Sequence, residues 1–328
     1  MKNLYLEELF ANYNPNGTDL RKIDGIVSEH LILIRASSLH DLASFAKEKN
    51  ATKASGGGFI GFECDPTQTA IEKLEGIVHE YLYGEKQLEL DGLPAIEKGI
   101  AKEEEALEEL SKIIGISVVK NKDRVSSWKL GLTGEIDAKS EKTIYDIKNA
   151  QFPDSFRKMK RTGIYDLQLV AYVMLWNAIK GNENTYDTAK LAMFLLDNDI
   201  NDFAHAVDYF SRKIDRYKIK SVEMHLGNII EIACETTNKY CYSLDKKIAC
   251  YNRLADWCDS YLNLNILDPM PNFRGVPMEL RHFTKEVNVS ELNKAKVKAI
   301  VDNCHKWLEI NNPFLFNELK NKKDENLF

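Results

Sequence analysis

Two short runs in the middle of the chain carry residue types that can hold a divalent cation: Gly134-Glu-Ile-Asp137, and shortly after it Tyr145-Asp146-Ile147-Lys148. In a strand, successive side chains alternate between faces, so Ile144, Asp146 and Lys148 point one way and Thr143, Tyr145 and Ile147 the other. By the same rule Asp137 shares a face with Thr133 and Glu135. Only a few polar residues separate the strand-like run at 126–138 from that at 142–150, so the two are expected to form a hairpin. If its register brings the polar faces together, Asp137 and Asp146 converge with Lys148 beside them. Carboxylates that close repel one another unless a cation lies between them, and all-oxygen ligation favours Mg²⁺ or Mn²⁺.

Helices must frame this hairpin. A helix is expected from about Ala95 to Ile114, stopped by Gly115, with Ile100, Glu103, Leu107, Leu110 and Ile114 on one stripe. Glu103 thereby interrupts a sheet-facing apolar surface, where a carboxylate asks for a partner or a metal. The alternative is a plain amphipathic helix with one misplaced glutamate. Residues 162–180 are apolar nearly all round and read as a buried helix, in which Gln168 needs hydrogen-bond partners and Tyr165 and Tyr172 share its side. A helix from about Thr67 to Tyr83 carries His79 off its apolar stripe of Ile71, Leu74, Val78 and Tyr81. Further strands are expected at 116–121 and 189–197, a loop at Ala54–Gly58, and a mainly helical C-terminal third. The order helix, three strands, helix, strand implies an α/β fold with a mixed sheet flanked by helices.

The chain has 328 residues, 44% of them hydrophobic, enough for a large core with helical additions. The segmentation expected is a helical N-terminal part at 1–60, a core at 61–200, a helical region at 201–317 and a flexible tail at 318–328. No apolar run approaches the ~20 residues of a membrane span, and the acidic start MKNLYLEELF is unlike a signal peptide, so a cytoplasmic protein with no membrane partner is expected. The six cysteines have no CxxC pair or zinc-finger spacing and read as free, mostly buried thiols. A net charge of −6 argues mildly against nucleic acid as a partner, although basic clusters occur at Arg157–Arg161 and between Arg212 and Lys220. The aromatics Trp257, Tyr261, Trp307, Phe314 and Phe316 read as core.

Taken in order, Gly134-x-x-Asp137, Asp146-x-Lys148 and Gln168-x-x-x-Tyr172 resemble the G-x-x-D, (D/E)-x-K and Q-x-x-x-Y series of PD-(D/E)xK exonucleases of the RecB and lambda-exonuclease kind. Gly99-x-x-x-Glu103-x-x-Ala106 is similar to a helix of the lambda-exonuclease and YqaJ-type nucleases, and Ile34–Leu39 to their segment near the start of the core. A rival placement, Gly76-x-x-His79, is similar to the G-x-x-H helix of RecB-like members; Glu103 is preferred to His79 as the helix-borne ligand. The resemblance covers roughly residues 30–200. It implies a restriction-endonuclease-like core and Mg²⁺- or Mn²⁺-dependent hydrolysis of DNA phosphodiesters. Asp137, Asp146, Glu103 and the Ile147 carbonyl would be the ligands, and Lys148 would orient or deprotonate water and stabilise charge. Gln168 and Tyr172 would hold the nucleotide, and Arg35, Ser37 and Lys160 would contact phosphate. An exonuclease on linear duplex DNA in phage-type recombination or repair is the leading expectation. A single-strand or flap nuclease, or a non-catalytic DNA-binding protein on the same fold, is the alternative. A homo-oligomeric ring and a single-strand annealing partner follow from the lambda-like resemblance as expectations.

Overall fold

The computed structural model describes residues 30–43, 66–83, 94–121, 123–180, 186–197, 203–219 and 225–325. The glycine-rich loop at 54–58, Cys64 and the helices expected before residue 30 lie outside them.

The run TIYDIKN, rich in β-branched and aromatic residues, forms the strand β6 (Thr143–Asn149). It lies inside a five-stranded mixed sheet of order β2-β5-β6-β7-β8. Strand β5 (Ala138–Lys139) pairs antiparallel with β6, Ala138 opposite Tyr145, and β7 (Thr188–Phe194) pairs parallel to it, Asp146 opposite Leu191. Strand β2 (Val119–Lys120) is one edge and β8 (His282–Val287) the other.

The expected hairpin between β5 and β6 is present, but 126–138 is not one strand. It folds on itself: β3 (Arg124–Ser127) and β4 (Leu132–Glu135) pair antiparallel, Val125 opposite Gly134. Gly131 makes the turn at φ +63°, and a Cβ there would lie 2.8 Å from the His30 ring. The left-handed region is where glycine is least penalised. These strands belong to a separate three-stranded sheet, completed by β1 (Ile34–Arg35) parallel to β4. The chain therefore changes sheet twice at the same level, from β2 to β3 and again from β4 to β5. Asp137 sits at the second crossing.

Helices cover both faces. Helix α1 (Gln68–Tyr83) buries Leu74, Ile77, Val78 and Tyr81. The helix expected over 95–114 is divided at Lys102 (φ −105°, ψ 5°) into α2 (Pro94–Ala101) and α3 (Glu103–Ile114), and Gly115 caps α3 at φ 68°. This break moves the buried stripe: Ala106 and Leu110 pack on Ala138, Tyr145 and Ile147, whereas Ile100 is 68% exposed. Glu103 precedes Ala106 by one turn, at the sheet-facing end of α3. After β6 come the short α4 (Pro153–Met159) and the apolar α5 (Asp166–Lys180), which packs Leu169, Val170 and Val173 against Ile144 and Leu191 on the opposite face.

The C-terminal third is helical with one exception. Helices α6 (Phe203–Ile219), α7 (Leu226–Tyr240) and α8 (Leu244–Leu262) share a core of their own around Phe210, Ile229 and Tyr251. The chain then returns to the central sheet as β8, antiparallel to β7. Helix α9 (Glu291–Asn311) lays Val297, Ile300 and Val301 into the main core with α5, and α10 (Pro313–Glu325) runs through most of the stretch read as a tail. Of the C-terminal aromatics, Phe316 is buried, Trp257 and Trp307 are partly buried against core clusters, and Tyr261 and Phe314 are exposed, which corrects their reading as core. The five described cysteines are free thiols, four of them buried. Among the described residues no helix is long and apolar enough to cross a membrane.

Candidate active site

Asp146 projects from β6 toward α5, as the alternation of the strand requires, and is only 1% exposed. Its Oδ1 accepts from Lys148 Nζ at 2.9 Å and from Gln168 Nε2 at 3.0 Å. The same Gln168 nitrogen donates to the Tyr172 hydroxyl at 3.0 Å, so the buried amide is spent on orienting Asp146. Tyr172 can reach this position because Gly134 has no side chain: a Cβ there would lie 2.6 Å from the Tyr172 ring. The glycine of the first motif thus makes room for the tyrosine of the third.

Asp137 falls one position beyond the Ala138–Tyr145 pair, opposite Asp146. Its Oδ2 accepts from the Ile147 N–H at 2.6 Å and lies 3.9 Å from Lys148 Nζ. The two carboxylates and the lysine therefore converge. Burial first, and the neighbouring Asp146 second, push the Asp137 carboxyl up to about 7. Burial pulls the Lys148 ammonium down, but the Asp146 and Asp137 carboxylates outweigh it and hold Lys148 above the ordinary lysine range.

Asp137 and Lys148 open onto a cleft of ≈ 860 Å³ whose walls include Ile100, Glu103, Lys120 and Tyr165. Glu103 is thus brought to the cleft, where it pairs with Lys120 Nζ at 3.1 Å. Among the described residues, no three His, Cys, Asp or Glu side chains are grouped closely enough to cage an ion, and Glu103 is engaged with Lys120. A cation fits nonetheless between the other two acids: Asp146 Oδ2 is buried with no hydrogen-bond partner, and Asp137 is disfavoured as an anion where it stands. Oxygen donors of this kind suit Mg²⁺ or Mn²⁺.

Compared with known proteins, the chain is similar to a solved phage-related exonuclease from Haemophilus somnus 129PT, at 19% identity and a TM-score of 0.49, over 84% of this chain and 93% of that one. It is similar also to an alkaline exonuclease from Laribacter hongkongensis, at 11% identity and a TM-score of 0.43, over 90% of this chain and 93% of that one. No family model and no curated protein matches the sequence.

The remaining candidates are placed differently. His79 is exposed on α1 and does not line the cleft, so the helix-borne acid that reaches it is Glu103. Arg35 pairs with Glu80 at 2.6 Å, Ser37 is exposed on the single 3₁₀ turn Ala36–Ser38, and neither lines the cleft. Lys160 lies over the Phe156 and Phe283 rings, at 4.8 and 5.2 Å, beside the cleft-lining Met159. Tyr165 does line the cleft, with Lys148 Nζ 5.4 Å from its ring. Three polar cleft residues escaped the sequence reading, Lys120, Asn121 and Asn149. For Lys120 a signal was present: in the run at 116–121 it shares the face of the buried Val118, an inward position where a lysine needs a reason.

Proposed function

We propose that this chain is a divalent-cation-dependent deoxyribonuclease, an exonuclease acting on linear duplex DNA of the kind consumed in phage-type recombination or repair. The observation that carries this reading is the convergence of Asp137 and Lys148, which line an open cleft, on the buried Asp146 behind them, one of whose carboxylate oxygens has no partner. The ordered G-x-x-D, D-x-K and Q-x-x-x-Y motifs support the choice of DNA and of exonucleolytic cleavage.

Asp146 Oδ2 and Asp137 would hold Mg²⁺ or Mn²⁺, with the Ile147 carbonyl nearby and Glu103 joining once it leaves Lys120. When bound, the ion supplies a Lewis acid and a nucleophilic water of lowered pKa. Lys148 stands beside both acids as an ammonium, placed to orient that water and to neutralise charge on the scissile phosphate. A proton-accepting lysine would need a depressed pKa, and the two carboxylates hold Lys148 the other way. Gln168 fixes the rotamer of Asp146, and Tyr172 fixes Gln168. The exposed Lys158 and Arg161, on the wall that carries Met159 and Tyr165, would contact the DNA backbone.

The test is degradation of end-labelled linear duplex, linear single strand and closed circular DNA, with Mg²⁺ or EDTA, by wild type, Asp137→Asn and Lys148→Ala. Mg²⁺-dependent loss of linear duplex alone, abolished by both substitutions, is the expected result. Cutting of the circle or a preference for single strands would replace the exonuclease reading with the flap or single-strand alternative. Binding without cleavage under Mg²⁺ and Mn²⁺ would leave a DNA-binding protein on the same fold.

A further inference from the structure

Asp137 lies at a sheet crossing, outside both β4 and β5, where no ladder fixes its backbone. What fixes it is one residue at the other crossing. The Asn121 N–H donates to the Asp137 carbonyl at 2.9 Å, and its side-chain Nδ2 donates to the Ile136 carbonyl at 3.1 Å and to the Asp123 carbonyl at 2.8 Å. The Ile136 and Asp137 carbonyls belong to the two peptide planes that flank the Asp137 Cα. Holding both planes sets φ and ψ of Asp137, and with them the direction of its Cβ. The Ile147 N–H then takes one carboxylate oxygen at 2.6 Å, and Asp137 itself lines the cleft. Asn121 is 5% exposed, and its Oδ1 has no hydrogen-bond partner. The amide is therefore oriented by what it donates, at the cost of an unsatisfied acceptor that a purely structural contact would tend to avoid.

We infer that Asn121 is a positioning residue for the cation site, clamping both peptides around Asp137 so that its carboxylate is presented opposite Asp146. This rests on the cation-dependent reading above. Asn121 acts through Asp137, by the bonds it donates to the Ile136 and Asp137 carbonyls. Any other residue type loses the double donation. Alanine keeps the main-chain N–H bond to the Asp137 carbonyl but leaves the Ile136 carbonyl unpaired and its peptide free to rotate, aspartate cannot donate when ionised, and glutamine displaces the amide by a methylene.

The experiment is Mn²⁺ binding to the DNA-free protein, followed by electron paramagnetic resonance of the unbound ion, for wild type, Asn121→Ala, Asn121→Ser and a control, Thr236→Val. Thr236 is a buried residue of α7 whose hydroxyl donates to Ile232 O at 2.7 Å, so the control also loses a buried hydrogen bond, but far along the chain from the site. Asn121→Ala is expected to weaken Mn²⁺ binding about tenfold to a hundredfold, the usual effect of removing a residue that orients a ligand. Asn121→Ser, which keeps one donor, should fall between it and wild type, and serves alone if the alanine variant does not fold. Thr236→Val should melt earlier yet bind Mn²⁺ as wild type does. Asn121 variants that melt earlier but bind Mn²⁺ undiminished would overturn the inference and leave Asn121 structural. Wild type that takes up no Mn²⁺ would sink the cation-dependent reading itself, and the inference with it.

Discussion

Two buried aspartates, Asp146 on β6 and Asp197 just beyond the neighbouring β7, have opposite surroundings. Asp197, 8% exposed, follows β7 and is saturated with donors: the Tyr242 and Ser243 N–H groups and Arg281 Nη1 at 2.8 Å. Burial raises its carboxyl, but those hydrogen bonds and the Arg281 charge win and hold it below the ordinary value. Its role is to tie the start of α8 and the approach to β8 to the end of β7. Asp146, 1% exposed, crowds Lys148 and Gln168 onto one oxygen and leaves the other bare, while its partner Asp137 is pushed up to about 7. A carboxylate built for stability is surrounded by its counter-charges; one built to receive an ion is left short of them.

Substitutions should separate the two. Asp137→Asn and Asp146→Asn are each expected to reduce DNA cleavage by at least about a thousandfold, as loss of a group acting in a catalytic unit does. Asp137→Asn should leave the ion-free melting temperature unchanged or raise it, because its like-charge repulsion with Asp146 is relieved while Asp146 keeps Lys148 paired. A large drop in melting temperature would erase the contrast. Asp197→Ala should do the reverse, costing about 3–5 kcal/mol in urea unfolding by stranding Arg281, with cleavage per folded molecule within about twofold of wild type. A histidine site offers a third arrangement, in which burial leads and neighbouring cations add to it. Burial, with His305 and Lys298 adding to it and Asp302 3.7 Å away, lowers His30 from 6.5 to about 4. A depressed imidazole must stay neutral to stay packed, so this stabilisation is complete above pH 6.5 and lost as pH falls toward 4. Solvent screening at this partly exposed ring keeps the loss below the roughly 3 kcal/mol that the full shift would give, and it should shrink in His30→Phe, with the lowered His305 retaining the rest. The smallest effect expected is at Gly134→Ala, whose new Cβ must push the Tyr172 ring from 2.6 Å, costing about 1–3 kcal/mol and loosening Gln168 from Asp146. Unchanged stability and cleavage there would mean that Tyr172 does not transmit to the site.

The parts of the site that local chemistry specifies were legible in the sequence. Period-two alternation placed Asp146 and Lys148 together, and the Gln168–Tyr172 spacing placed a buried amide and a hydroxyl on one helical face. Glu103 was found because it sits on a stripe where a carboxylate is out of place. Its partner was not, because the pairing with Lys120 joins a helix to a two-residue strand. Strands that short leave almost no periodic signal, so the division into two sheets and the double crossing were hidden. The β3–β4 hairpin was missed because Lys129-Leu130-Gly131 read as strand, although Gly131 marks the turn. Asn121 had no local signal, since its function depends on three carbonyls brought to it by the crossings. Strand β8 was swallowed by the helical reading of the C-terminal third.

That late strand has a consequence for how the chain comes to be folded. Until β8 arrives, β7 presents an unpaired edge of apolar residues, and β8 is separated from it in sequence by the whole three-helix unit. Contacts of such long sequence separation form slowly, and open strand edges recruit other chains. The residues that would perform the chemistry, on β5, β6 and α5, lie close together in sequence and can assemble early. A nascent molecule thus passes through an interval in which the β5–β6 hairpin is built but its sheet is unsealed, and aggregation in that interval should track how quickly residues beyond 281 become available to pair.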